Sequence, residues 1–415
     1  MAEAKSETLN SFSMLHLGIV LGLLSAIGPI SIDLYLPAFP AMAGELSASP
    51  DQVQLTLSVF FLALAVAQIP VGLFGDRYGR KLPLYLGLGL FVAASVACAA
   101  TSGITQLILL RFVQGFGVCA GTAVSRAMIR DLASGHHAAR LMANSFLIIG
   151  ISPILAPLAG SFLMTVMPWR GLFLVLAAIG LFAILLVRFY LPESLPPSAR
   201  LQKGASILPK YRALLTNRRF FASAFVAAFA TTIPFSYVTA APFVFSKIYG
   251  LDSMEYSLLL ALNALCSIAS TQFSPGLMKL WGPRMVLRSV GAVGVLLTIV
   301  LTLLLAAGVM NLIIFMIYSM LVFTLSGLML TPAAVAALDT VKENVGAAAG
   351  TLGTIQLAIV ASASALISVL PDTSVVPLAG VLGGVFVFSW ALTSGEEELH
   401  PEEPHNQGES PNGDN

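Results

Sequence analysis

The chain has 415 residues, 57% of them hydrophobic and 10% charged, with a mean hydropathy of +0.89. A soluble core of that composition is left without enough polar surface to cover it, so the solvent implied is lipid. The formal net charge of +1 points to no nucleic-acid or acidic partner, because in a membrane chain the placing of charges matters more than their sum.

A spanning helix needs about 20 residues with few or no charges. Such stretches run at 8–32, 52–75, 82–110, 141–169, 171–187, 220–246, 256–278, 289–338, 344–371 and 373–395. The first lies behind Glu3, Lys5 and Glu7 and is too long for a cleaved signal core, so it is a retained helix. The third ends in a turn at Thr101, Ser102 and Gly103, and a fourth helix continues through Arg111 to about Ile129. The stretch from Ser289 to Leu338 is long enough for two helices, hinged near Gly308–Asn311. Twelve spans result.

Of the 21 lysines and arginines, Arg111 falls inside a span and only Arg170 and Lys247 fall in the loops on one side of the layer. Cytoplasmic loops collect basic residues, so both termini are expected inside. Between Pro192 and Arg219 the chain turns polar and basic at the midpoint of the spans. The expected organisation is a six-helix bundle at 1–191, a cytoplasmic linker at 192–219, a second six-helix bundle at 220–394 and a solvated, disordered acidic tail at 395–415. Cys98, Cys119 and Cys266 lie in apolar runs and read as small hydrophobes, and the five histidines form no ligand cluster. No metal and no cofactor is expected. The spans offer no nucleophile paired with a base, which argues against an enzyme.

Between spans 2 and 3 the residues Gly72-Leu-Phe-Gly-Asp76-Arg77-Tyr-Gly79-Arg80-Lys81 are too glycine-rich and charged to cross lipid and must turn in water. They resemble the loop signature of the major facilitator superfamily, G-x-x-x-D-R-x-G-R-K, with every fixed position present. That resemblance implies an all-α membrane fold of two six-helix bundles and gives Asp76 and Arg77 gating roles, supported by Gly72, Gly79, Arg80 and Lys81. A faint repeat follows span 8, at Pro275, Gly276, Lys279, Gly282 and Arg284.

Two ionisable residues stand inside the membrane, Asp33 late in span 1 and Arg111 early in span 4. Such groups are costly in lipid and normally face a cavity or a partner. Both are placed roughly 9 Å below the outer surface at about 1.5 Å per residue, so the expectation is a pair or a shared water network, with Asp33 as a proton switch. Arg111 with Gln114 and Gly115 is similar to the superfamily's R-x-x-Q-G motif, associated with proton transfer. In span 5, Gly150, Pro153, Pro157 and Gly160 resemble the drug-antiporter motif, with Ala156 in place of its first glycine, and imply a pliable hinge.

The wording around Asp33, Ser31-Ile-Asp-Leu-Tyr35-Leu-Pro-Ala-Phe-Pro40, together with Arg130-Asp131 and Leu191-Pro-Glu-Ser194, resembles the bicyclomycin and chloramphenicol resistance (Bcr/CflA) branch of drug:proton antiporters. This implies a monomeric exporter in a bacterial inner membrane, exchanging protons for a small amphipathic, drug-like substrate. Tyr35, Gln114, Phe229, Phe235, Tyr237, Asn263 and Gln356 are the expected lining of its substrate cavity. The competing expectation is a proton-coupled uptake symporter or facilitator for a sugar, peptide or similar metabolite, which the proline-rich span 5 and the apolar lining disfavour.

Overall fold

A computed structural model describes residues 11–133, 135–202, 212–214, 216–341, 345–370 and 375–395. The acidic tail and much of the basic linker lie outside the described residues. Among these residues, eleven helices are long and apolar enough to cross a membrane. One of them, Ser253–Ala306, runs for 54 residues and turns at Gly282, whose φ of 76° only glycine adopts freely. That turn makes two spans of one helix, and twelve in all.

The spans are α1 (Ser11–Asp33), α2 (Pro50–Tyr78), α3 (Lys81–Ala99), α4 (Ile104–Leu132), α5 (Gly135–Met164), α6 (Trp169–Phe189), α7 (Arg218–Phe243), α8 (253–281), α9 (283–306), α10 (Leu312–Asp339), α11 (Val345–Val369) and α12 (Val376–Gly395). Few charges interrupt them, and lipid forces their backbone groups to pair within the helix. The turns follow local chemistry. Asp252 caps α8 by accepting from the amides of Met254 and Glu255, each at 2.8 Å, Asn217 caps α7, and Asn311 accepts from Ile314 at the start of α10. Large apolar side chains such as Leu109, Phe146, Phe189 and Leu280 point outward, as a lipid-bathed surface requires.

α1–α6 pack on one another and α7–α12 do likewise, forming two bundles. α2 lies against α11, and α5 against α8, along the seam between them. Past Asp33 the chain makes a 3-10 turn at Leu36–Ala38 and a short helix, Phe39–Glu45, before α2. Glu45 ties this helix to α6 by accepting from Trp169 and Arg170. The same positive-φ glycine recurs after the second helix of each bundle, Gly79 at 93° and Gly282 at 76°, so the weak sequence repeat corresponds to a repeated turn. For orientation, the side carrying the turn at Gly79 is called the basic face, and the other the opposite face.

Candidate functional site

α1 ends at Asp33, because two prolines follow closely and Pro37 opens the 3-10 turn. α5 comes so near that a Cβ on Gly160 would lie 2.0 Å from the carbonyl oxygen of Leu34. Asp33 is 6% exposed, and among the described residues no hydrogen bond or ion pair reaches its carboxyl. Tyr256 of α8, on the other side of the seam, lies within electrostatic reach of it. Among the described residues the buried hydroxyl of Tyr256 has no hydrogen-bond partner.

The expected pairing of Asp33 with Arg111 is not formed. The guanidinium of Arg111 sits 4.2 Å from the ring centre of Tyr35 and 4.1 Å from that of Phe60, an arrangement that favours the cation electrostatically without a counter-charge. It donates to the side-chain oxygen of Gln114 and, at 3.2 Å, to the backbone oxygen of Ser31. Gln114 donates in turn to Ser95 at 2.7 Å, and Tyr35 pairs with Thr56 at 3.1 Å. Arg111 therefore joins α1, α2, α3 and α4 inside the first bundle, with its Nε left without a partner among the described residues.

On the basic face the hub is Arg80, which is almost fully buried. It donates to Asp76 at 2.7 Å and to Asp131, at the end of α4, at 2.7 and 3.4 Å. Glu193 accepts from the backbone amides of Arg80 and Lys81 at 2.7 and 3.1 Å, and Lys81 donates to the carbonyl of Leu191 at 2.9 Å. A Cβ on Gly79 would lie 2.7 Å from the Glu193 carboxylate, so glycine is needed both for the turn and for this approach. Arg77 is exposed and lies 5.7 Å from the ring of Tyr78, while Gly72 lines the crevice beside the loop. Asp131 and Glu193 were missed as partners by sequence reading. The available signal was their position at the ends of α4 and α6, on the face where the loop arginines gather.

The seam is closed on the opposite face and open on the basic one. Closure is made by Phe61 against Phe235, ring centres 5.0 Å apart, Phe39 against Phe243 at 5.9 Å, Ser58 with Ser368 at 3.4 Å, and Ser161 with Ser257 at 2.7 Å. Toward the basic face a crevice of about 420 Å³ separates α2 and α4 from α11 and reaches inward to Gln68.

The sequence matches the Major Facilitator Superfamily over residues 21–365. The chain belongs to that superfamily. It is 31% identical over 372 residues to the Bacillus subtilis protein described as "Uncharacterized MFS-type transporter YdgK", covering 89% of this chain and 92% of that one. It is 29% identical over 377 residues to the "Bicyclomycin resistance protein homolog" of Haemophilus influenzae, covering 89% and 93%. Among solved structures it resembles a D-xylose-proton symporter, with a TM-score of 0.70 at 15% identity, covering 92% of this chain and 97% of that one. That likeness speaks to fold alone.

For a major facilitator transporter the arrangement is chemically legible: the crevice opens on the basic face with room for a small molecule, and the seam beyond it is closed. The chain is thus a multi-pass membrane transporter and not an enzyme. The residues expected to line the cavity do not meet in one place. Tyr35 and Gln114 belong to the Arg111 network. Tyr237 is enclosed by Phe315 and Phe323 within the second bundle and accepts from Asn263 at 3.1 Å. Phe229 stacks on Phe388 of α12, and Gln356 donates to the carbonyl of Ala227 at 3.4 Å, whereas Phe235 stands at the seam. In α5, Gly150 faces Ile268 of α8, Pro153 and Pro157 lie within the helix, and Ser161, beside Gly160, bonds across to α8.

Proposed function

We propose that this transporter exports small amphipathic compounds in exchange for protons by alternating access, with Asp33 as the proton carrier. The observation that carries the reading is the placement of Asp33: a buried acid without an ionic partner, beside the sealed half of the seam and within reach of Tyr256 on the other bundle. Ionisable groups kept inside a membrane despite their cost mark ion and proton paths. The relatives named for bicyclomycin and multidrug resistance support a drug-like cargo, and the pliable stretch from Gly150 to Gly160 lies where the two bundles move against each other.

In this reading the basic face is cytoplasmic, with both termini inside and the crevice open to the cell interior. The bundles rock as units about the α2–α11 and α5–α8 contacts. The network of Asp76, Arg80, Lys81, Asp131 and Glu193 braces the inner ends of α2, α3, α4 and α6 through that motion. The transporter acts as a monomer, and protons and cargo are its partners.

Everted vesicles energised with an acid interior provide the test. Addition of an amphipathic drug is expected to release protons, and the release should vanish in Asp33→Asn while the protein remains folded by thermal unfolding in detergent. Undiminished release in Asp33→Asn would remove the assigned carrier.

A further inference from the structure

α4 carries two arginines one turn apart, Arg126 and Arg130, and both line the crevice that opens on the basic face. Like charges four residues apart on a helix repel, yet among the described residues no ion pair neutralises either. The crevice's two carboxylates, Asp76 and Asp131, are both engaged by Arg80 at 2.7 Å. Arg126 spends its Nε on the carbonyl of Thr122 at 3.1 Å and leaves its two terminal nitrogens uncommitted. Arg130 makes no hydrogen bond or ion pair with any described residue. It stands against the first turn of α11, with its guanidinium nitrogen 3.3 Å from where a Cβ on Gly346 would lie. That helix presents its positive dipole end there.

Two guanidinium groups uncommitted among the described residues and a helix N-terminus thus converge, from both bundles, on one crevice. Arginine's planar donors fit carboxylate and phosphate oxygens. The same space has apolar walls at Ile69, Leu73 and Met142, and its volume of about 420 Å³ is that of a small-molecule site.

We propose that Arg126 and Arg130 form an anion subsite in this crevice, and that it accepts small compounds carrying a carboxylate or phosphate group on an apolar body. The inference rests on the exporter reading for its direction and adds the charge class of the cargo. A monoanion leaving as protons enter moves one more unit of positive charge inward per cycle than a neutral compound does. An interior-negative potential therefore favours its export more strongly. Gln68, at the inner end of the crevice, marks how far the body of such a compound reaches before the closed seam stops it. Carboxylates from the chain's own tail, which holds six glutamates between Glu396 and Glu409, are the other source of the same chemistry.

The test is arginine labelling with phenylglyoxal on the purified full-length chain, read by peptide mass spectrometry at fixed ionic strength. Benzoate and its neutral counterpart benzamide serve as probes. Benzoate is expected to protect Arg126 and Arg130 at concentrations about tenfold lower than benzamide, the worth of one charge-assisted hydrogen bond, while Arg77 labels equally with both. Equal protection by the two compounds overturns the subsite. If both arginines resist labelling without any probe, and become reactive when the six tail glutamates are changed to glutamine, the tail owns the site and the cargo assignment is overturned. In everted vesicles, native protein should favour benzoate over benzamide in provoking proton release, and Arg126→Gln/Arg130→Gln should lose that preference. A preference unchanged in the double variant counts against the proposal. Protection by benzoate with no proton release for any compound supports the subsite and sinks the exporter reading instead.

Discussion

Arg80 is the residue whose loss should cost the basic face most, and the structure predicts how that cost divides. Its two carboxylate partners differ in exposure. The side chain of Asp76 is 49% exposed, whereas that of Asp131 is 18% exposed and also accepts from Ser194 at 3.0 Å. A half-exposed pair contributes about 0.5 kcal/mol. The Asp131 contact, held by two guanidinium nitrogens in poorer solvent, contributes about 1.5–3 kcal/mol. Arg80→Gln should therefore destabilise by about 2–3 kcal/mol, Asp131→Asn by somewhat less, and Asp76→Asn by under about 1 kcal/mol. Reversible unfolding in mixed detergent micelles gives the ordering, and drug-provoked proton release in everted vesicles shows whether transport follows it. An Asp76→Asn loss equal to or larger than that of Asp131→Asn would refute the reasoning, since it would mean that the exposed carboxylate carries the network.

Other outcomes follow from single contacts. Gly160→Ala places a Cβ 2.0 Å from the Leu34 carbonyl, so α1 and α5 must separate, and a loss of about 1–3 kcal/mol in the same unfolding assay is expected; an unchanged midpoint would contradict that close approach. Gly79→Ala combines a φ of 93° with a clash at Glu193 and should cost at least about 1 kcal/mol, whereas Gly72→Ala, with open space around its Cβ position, should cost little. Tyr256→Phe removes a buried hydroxyl that has no partner among the described residues, so stability should hold within about 0.5 kcal/mol or rise. Cysteines at Ser58 and Ser368, whose oxygens lie 3.4 Å apart, should form a disulfide that halts transport until reductant is added; full crosslinking with undiminished transport would show that this part of the seam does not open.

The fold was largely written in the spacing of charges. A charge-free stretch of set length announces a spanning helix whatever its tertiary neighbours are, and even the turn at Gly308–Asn311, buried in an unbroken apolar run, was marked by residues that end and cap helices. The networks were harder to read because they are made by residues far apart in sequence. Asp131 and Glu193 meet Arg80 only once α4 and α6 are brought beside the loop, and their own sequence surroundings say no more than that a helix ends. Matching depths suggested a pair for Asp33 and Arg111. Depth gives one coordinate, however, and the rings of Tyr35 and Phe60 had already claimed the guanidinium. Aromatic residues are hard to place for the same reason: Tyr237 and Phe235 are two positions apart in one helix, yet one faces into its own bundle and the other across the seam. The Arg126 and Arg130 pair was visible as letters, but that no described carboxylate pairs with it appears only once Asp76 and Asp131 have been assigned to Arg80.

Closure of the seam on the opposite face rests on aromatic edges and serine hydroxyls, and among the described residues no ion pair crosses it there. Two ring pairs at about 0.5–1.5 kcal/mol each and two hydroxyl contacts at about 1 kcal/mol each sum to about 3–5 kcal/mol, an amount that thermal fluctuation overcomes on the timescale of a transport cycle. What fastens the described part of this seam is short-range contact, which dissolved salt screens far less than it would an exposed ion pair. In the exporter reading, a latch of that kind yields to whatever fills the space behind it.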